Sequence, residues 1–561
     1  MLRQISVPSF VSVSAMALAI LLPAAALGQT KVKVSVDTGK ILNPLTSRSL
    51  GVGLDGYDGN AANAQIVQLL HYAGVQTLRY PGNGGLSGIY HFTLPSGVIN
   101  PYKEGKAPYF APSNDFAALA AFFDAFGSAI VSVDYGSNLD GSGGGEAAEA
   151  AAWVAYANGD PASTQAIGKD SKGNNWKTVG YWAGLRAANP ITPDDGYNGL
   201  RIGHPKPIGI QLWQIGNDAW NNGYYGPDHA AEFDLRAGPI PSATDAGKRQ
   251  GNARIGPGAY AEGFLAFAKA MKAVDPKILV GASFTTPTTN VSWMHTSSIG
   301  TSSASDLTGQ SASAISWGGD WDSDLLKAAC GEIDFGALSL VESPTLPPDY
   351  KVLDEEALLQ SLGKDYNGIV TDLLERFRKD CPAGHTPRLA FTNFGASAQT
   401  IPHPGVVTLF AADAVATLIE TGSLSIDWTS YHNALFIGEG NKTGPAYFGY
   451  QMVHILAHQP GDAFVQCQSS SSLLAAHAAK RRDGSYGLLL VNKDPKQATQ
   501  VTVHYSGDTP GKTGIRFDYG EDAFKADVGR LVPVQVDNLG GSFTVEVPAY
   551  TATAILIPKA Q

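Results

Sequence analysis

Residues 31–37 read Lys-Val-Lys-Val-Ser-Val-Asp, an alternation of polar and apolar side chains that predicts a strand with one buried face. Beyond them, short apolar runs alternate with longer stretches of helical period, the pattern of successive strand–helix units. The runs predict eight strands, at residues 49–54, 77–79, 129–134, 208–213, 278–283, 335–340, 388–392 and 425–428. Helical stretches fall between them at 61–73, 114–126, 146–157, 259–274, 354–379 and 407–420. Eight such strands with crossover helices predict an α/β fold, a (β/α)8 barrel over residues 29–460. After residue 460 the helical period stops. Alternating segments separated by turns, such as 486–491 and 552–557, predict a C-terminal all-β sandwich over 461–561, which strand 31–37 is placed to join.

Composition narrows the class without changing this picture. With 561 residues, 44% hydrophobic and 16% charged, the chain can bury a large core and falls outside the disordered class. Its first residues predict a signal peptide: Arg3, an apolar run at 10–22, then Ala26-Leu27-Gly28 at the cleavage positions. Removal after Gly28 implies a secreted or periplasmic protein. No later apolar run is long enough to span a bilayer, so no membrane insertion is expected after cleavage. Formal charge is −11, and loss of Arg3, the one charged residue before Gln29, makes it −12. No Lys/Arg-rich run is present, which argues against nucleic acid as a partner. Three cysteines show no metal-ligand spacing, and neither a metal nor a cofactor is expected. One bridge, Cys330 to Cys381, and buried free thiols are equally compatible with them.

The barrel makes strand ends the place to look for chemistry, because these folds keep their active sites at the carboxyl ends of the strands. The fourth strand runs into Gly216-Asn217-Asp218, with Trp220 and Tyr224 close behind as flat apolar faces for a sugar ring. The third strand ends at Asp134 and Tyr135, which suit either sugar contact or strand-end hydrogen bonding. Arg79, at the end of the second strand, reads either as an anchor of barrel loops or as a substrate contact. Trp428, ending the eighth strand, suits core or sugar platform, and its position favours the platform. Glu342 is the best spare carboxylate past the sixth strand, although a solvated loop also accounts for it.

Several of these stretches together resemble the retaining glycosidases of the arabinofuranosidase-type (β/α)8 superfamily with an appended β-sandwich, near families 51 and 39. Leu78-Arg79-Tyr80-Pro81-Gly82 matches the strand-two motif, residues 151–158 a helix after strand three, and Gly461-Asp462 with Val491-Asn492-Lys493 the sandwich. The resemblance implies a carbohydrate-cleaving cleft with two carboxylates. Its acid/base motif, Trp-Glu-Ile-Gly-Asn-Glu, is here Trp213-Gln214-Ile215-Gly216-Asn217-Asp218. Asn217, whose amide in such enzymes binds the hydroxyl beside the reacting carbon, is kept. Asp218 is one methylene shorter than Glu, a displacement of roughly 1 Å that can cost on the order of 100-fold in rate. Its nucleophile motif, Thr-Glu followed by an aromatic, is here Thr392-Asn393-Phe394. The neutral amide of Asn393 cannot act as a carboxylate nucleophile, and retention needs two carboxyl groups about 5–5.5 Å apart. The His and Tyr common on strand six are also missing, with Ser339 and Val341 in their place. The sequence therefore predicts an exported glycosidase-like protein acting on or binding carbohydrate of plant-polysaccharide type, with the usual retaining mechanism impaired. The alternative is hydrolysis through relocated carboxylates, by an inverting or substrate-assisted route, with Asp218 as general acid and Glu342, Asp134 or Asp427 activating water in the inverting case.

Overall fold

The computed structural model describes residues 30–560 except 55, 57–58, 83–89, 94–110, 136–144, 220–256, 286–320, 343, 348–349 and 362–365. The first strand, β1 (Thr30–Pro44), buries Val32, Val34 and Val36 between exposed lysines, as the period-two pattern requires. Then come β2 (Leu50–Gly53), α1 (Ala64–Tyr72), β3 (Thr77–Tyr80), α2 (Ala120–Phe126), β4 (Ala129–Val133), α3 (Ala147–Asn158) and α4 (Val179–Ala187). They are followed by β5 (Leu212–Ile215), α5 (Pro257–Val274), β6 (Leu279–Ser283), α6 (Trp321–Ala329) and β7 (Phe335–Glu342). A short ribbon, β8 (Thr345–Leu346) and β9 (Val352–Leu353), precedes α7 (Glu355–Ser361) and α8 (Asn367–Asp380). The sequence continues through β10 (Arg388–Ala396), α9 (Val406–Glu420), β11 (Ser425–Trp428) and α10 (Pro445–Leu456).

Strands β2 to β7 with β10 and β11 pair in parallel and close into an eight-stranded barrel, β11 returning to β2. The eight strands expected from the apolar runs are these eight. The fourth starts later than its run, at Leu212 rather than residue 208, because Gly209 turns the backbone to φ +81°. The sixth and seventh run longer, so Glu342 and Asn393 lie inside strands rather than beyond them. The stretch 354–379 forms two helices instead of one, and only 120–126 of the expected helix at 114–126 is α-helical. Helix α4 was not expected, although Thr178 marks its start by accepting a hydrogen bond from the Tyr181 amide at 3.1 Å.

The remaining strands are β12 (Ala463–Ser469), β13 (Leu474–Lys480), β14 (Tyr486–Asn492), β15 (Thr499–Ser506), β16 (Gly514–Gly520), β17 (Val534–Val536), β18 (Ser542–Val547) and β19 (Thr551–Ile557), with a single helical turn, α11 (Glu521–Lys525). With β1 they form one nine-stranded sheet, in which β1 pairs antiparallel to β12 and parallel to β15. The sheet folds over a common core that joins Val34 and Val503 to Leu488, Phe543 and Ile555. Its outer surface packs on α9 and α10. Helix α9 is buried on nearly all sides, which explains why it carries apolar residues around its whole circumference instead of on one stripe. Cys330 and Cys381 are disulfide-bonded, joining the ends of α6 and α8 across a Cα–Cα distance of 5.3 Å. Cys467 remains a thiol.

Candidate functional site

Alternation along the barrel strands sorts every residue into lumen or outer layer. Val131, Trp213, Val280, Leu338, Phe391 and Ile426 face outward and join the large core under the helices. Ile130, Leu212, Phe335, Ala337, Ala390 and Leu424 form a separate apolar plug at the amino-terminal end of the lumen. Above the plug the inward positions turn polar. Arg79, Ser132, Gln214, Ser283 and Asp427 are all buried there. Burying so many polar groups costs stability, which a sequence selected for packing alone would avoid. Such a polar upper lumen is expected beneath a site that handles polar ligands.

Two close backbone approaches shape the floor of the site. Gly82 sits so near β2 that a Cβ would come within 1.3 Å of the Leu54 carbonyl, which accounts for the glycine closing Arg79-Tyr80-Pro81-Gly82. At the end of β5, Gly216 donates its amide to the Val133 carbonyl at 3.1 Å with φ +70°, and Asp218 follows at φ +51°. A left-handed aspartate costs conformational energy, and such strain gathers at functional sites.

These bends bring the side chains together. The buried guanidinium of Arg79 donates Nη1 to the Gly82 carbonyl and Nη2 to Asn217 Oδ1, the latter at 2.5 Å. Asn217 in turn donates Nδ2 to Asp218 Oδ2 at 3.1 Å. Gln214, in the motif position where the resemblance expects Glu, donates Nε2 to the Gly216 carbonyl at 2.8 Å and so braces the same turn. Across the barrel, Asn393 donates Nδ2 to Ser339 Oγ at 2.9 Å.

The seventh strand carries a bulge at this point. Phe391 pairs with Leu338 and Asn393 with Ser339, so Thr392 is the extra residue, and the register against β11 slips in the same interval. Bulges re-aim side chains next to functional sites. Here the bulge sets Asn393 beside Asp427, which stands between the paired residues Ile426 and Trp428. Asp427 is fully buried, and burial raises its carboxyl from 3.8 to about 7, with the Ser425 hydrogen bond and the Arg79 charge opposing.

A third group of polar residues lies at the end of β4. His91 Nδ1 faces Glu149 at 2.9 Å, and its Nε2 lies 3.3 Å from Asp134 Oδ2. Neither His91 nor Glu149 was expected as a site residue. They lie 58 residues apart, so no local spacing joins them.

Three expectations meet a different structure. Trp428 cannot be a sugar platform in this structure: it follows the outward alternation of Ile426 and is enclosed by Phe394, Phe436 and Tyr450. Tyr135 likewise packs into the core, edge-on to Tyr260 and against Phe267 of α5. Glu342 is a buried strand residue rather than part of a solvated loop, on the alternation of Leu338 and Leu340. Arg79 anchors the loop of Gly82, one of the two jobs considered for it, and also donates to Asn217. Trp220 and Tyr224 lie outside the described residues. Among the described residues, no group of three His, Cys, Asp or Glu side chains is arranged to hold a metal ion, and no helix is long and apolar enough to cross a membrane.

No protein-family model matches this chain, and no curated protein matches it by sequence. Solved structures do match by fold. An α-L-arabinofuranosidase from Thermotoga maritima, in complex with arabinose, aligns with a TM-score of 0.62 over 94% of this chain and 99% of its own, at 15% identity. A family 51 α-L-arabinofuranosidase from Bifidobacterium longum aligns at 0.64 over 94% and 99%, at 14% identity. A family 44 xyloglucanase from Paenibacillus polymyxa aligns at 0.58 over 94% and 100%, at 11% identity. The fold is therefore that of these glycoside hydrolases, a (β/α)8 barrel with a C-terminal β-sandwich. At these identities the likeness carries fold and not activity.

Proposed function

We propose that this chain is an exported, glycoside-hydrolase-like protein that binds carbohydrate of plant-polysaccharide type at the carboxyl ends of its barrel strands, with the usual retaining hydrolysis impaired. The observation that carries the reading is Asn393. Its amide occupies the inward, bulged position on β10 and donates to Ser339, while Asn217 and Asp218 are held in order by Arg79 on the opposite side. Hydrogen-bonding groups for a sugar remain, and one of the two carboxylates that retention requires is replaced by a neutral amide.

A second reading, hydrolysis through relocated carboxylates with Asp218 as general acid, is favoured by the survival of Asp134 and Asp427 as buried carboxylates around the same lumen. Hydrolysis of arabino-, xylo- and xyloglucan-oligosaccharides by wild type, Asp218→Ala and Asn393→Glu separates the two. The first reading expects binding without turnover by wild type. Turnover by wild type that Asp218→Ala abolishes would overturn it, and the anomeric configuration of the first product would then distinguish inversion from retention.

A further inference from the structure

The barrel lumen holds polar atoms for which a carbohydrate cleft above it does not account. Their inward direction follows from the apolar plug. Ser132 stands two residues beyond Ile130 on β4, Gln214 two beyond Leu212 on β5, and Ser283 four beyond Leu279 on β6, so all three point into the barrel. On β3, Leu78 and Tyr80 join the outer core, which leaves Thr77 facing inward. Thr77 pairs with Gly51, and Gly51 with Asp427, so these three share one level across β3, β2 and β11. Thr77, Ser132, Gln214, Ser283 and Asp427 are each no more than 1% exposed. Thr77 Oγ1, Ser132 Oγ, Gln214 Oε1, Ser283 Oγ and Asp427 Oδ2 have no hydrogen-bond partner among the described residues. Each such atom costs stability, and five converging on one lumen call for a common partner.

Neighbouring side chains do not supply that partner, because their polar atoms are committed elsewhere. Ser132 and Gln214 are paired across β4 and β5, yet Gln214 Nε2 donates to the Gly216 carbonyl at 2.8 Å, which leaves Oε1 on the other side of the amide. Asp427 Oδ1 lies over Gly51, where a Cβ would come within 1.6 Å of it, and accepts the Ser425 hydroxyl at 2.8 Å. Oδ2 is left over. Between Thr77 and Asp427 the backbones are two strand spacings apart, roughly 9.6 Å. Three of the five atoms are hydroxyls on short side chains, at a depth where barrels of this kind mostly pack Val, Ile and Leu. Short side chains leave width in the lumen, and hydroxyls beside amide and carboxyl oxygens suit a small molecule that both donates and accepts. Oxygens of this kind also suit a cation, but the buried guanidinium of Arg79 shares the lumen and disfavours a second positive charge there.

We propose that the lumen is an internal water site, in which bound water satisfies Thr77 and Asp427 on one side and Ser132, Gln214 and Ser283 on the other. Buried waters typically make about three hydrogen bonds to groups that lack other partners, and this lumen offers five such groups. Gln214 connects the site to the cleft. Its amide holds the Gly216 carbonyl with one end and meets the water with the other, so the water fixes the orientation of the brace under Asn217 and Asp218. The proposal goes beyond the carbohydrate reading and stands or falls without it.

Two measurements test it. The first is a high-resolution crystal structure of the wild-type chain grown from rubidium salts. Density peaks are expected within about 3 Å of these oxygens, without an anomalous rubidium signal. A lumen with no such peaks overturns the proposal, and a peak that carries the rubidium signal overturns it in favour of a cation site. The second is urea unfolding of Thr77→Val and Ser132→Ala. Where a hydroxyl holds water, its removal strips the bound molecule of a partner, and the urea midpoint should fall. A dry hydroxyl is a net cost, so its removal would raise the midpoint. A midpoint that rises or stays unchanged in either variant therefore overturns the proposal. Should a variant fail to fold, the wild-type crystal structure decides by itself.

Discussion

The imidazole of His477, on β13, stands 2.9 Å from Asp413 Oδ1, on α9, and its other nitrogen stands 2.9 Å from Glu420 Oε1 on the same helix. Lys493, just past β14, reaches Asp413 Oδ2 at 2.6 Å and donates to the Leu359 carbonyl at 2.9 Å. His477, Asp413 and Lys493 are buried where the sheet meets the barrel helices. Burial alone lowers the pKa of His477, but the Glu420 charge and the hydrogen bonds to both carboxylates outweigh it and raise it from 6.5 to about 10. Burial likewise opposes Asp413, which Lys493 and His477 nonetheless hold at about 2. Because the folded pKa of His477 is raised, its contribution is complete below 6.5 and is lost as pH rises through about 10. Because that of Asp413 is depressed, its contribution is complete above 3.8 and is lost as pH falls through about 2. His477→Gln should therefore cost about 3–5 kcal/mol between pH 4 and pH 6.5, the range for breaking a buried ion pair. Denaturant titration should find the deficit shrinking steadily as pH approaches 10.

The bridge between Cys330 and Cys381 closes a separation of 51 residues and joins the ends of two crossover helices. Chain-entropy arguments give a loop of this length roughly 4 kcal/mol of stabilisation. The double variant Cys330→Ser/Cys381→Ser should unfold at lower denaturant by about that amount, and reductant should lower wild type to match it. Since the bridge lies outside the lumen, oligosaccharide affinity below the unfolding transition should be unchanged.

The barrel was legible because its strands are buried on both faces and read as short apolar runs, and residues 425–428 are β11 to the residue. The site was legible only where a motif carried it. Asn217 and Asp218 follow the end of β5, as the motif indicated, whereas Asn393 lies within the longer β10 instead of at its end. Trp428 was misjudged because an aromatic residue at a strand end suits core and platform equally, and only the inward or outward sense of the strand decides. That sense follows from a two-residue period, so one misjudged position reverses it. The bulge at Thr392 could not be read from the sequence, since it adds one residue without any glycine or proline to mark it. His91 and Glu149 were missed because their juxtaposition is made entirely by the fold.

Gly51 is the tightest point in the lumen beside Asp427. Its missing side chain would meet Asp427 Oδ1 at 1.6 Å and Asp427 Cγ at 2.7 Å. Gly51→Ala should cost about 3 kcal/mol, the upper part of the usual range for overpacking. Removing the obstacle in Gly51→Ala/Asp427→Ala should return part of that loss. The two substitutions should then be clearly non-additive in a double-mutant cycle by urea unfolding. Additive effects would mean that the glycine is required for its backbone instead of for the space it leaves.

His91 keeps two carboxylates apart at the edge of the site. Asp134 and Glu149 are both buried, and the imidazole stands between them at 3.3 and 2.9 Å. His91→Ala would remove the imidazole that contacts both buried acids, and the protein would lose roughly 3 kcal/mol. His91→Gln restores one donor without the option of a positive charge, so it should recover only part of that loss. Asp134 follows β4 directly, and the backbone of Val133 accepts the amide of Gly216, so a shift at Asp134 is passed to the turn that holds Asn217. Oligosaccharide affinity should therefore fall in His91→Ala even under conditions where the variant is fully folded. Comparing affinity with the fraction folded across a urea series would expose the difference. An affinity that tracks the folded fraction alone would confine His91 to a structural role.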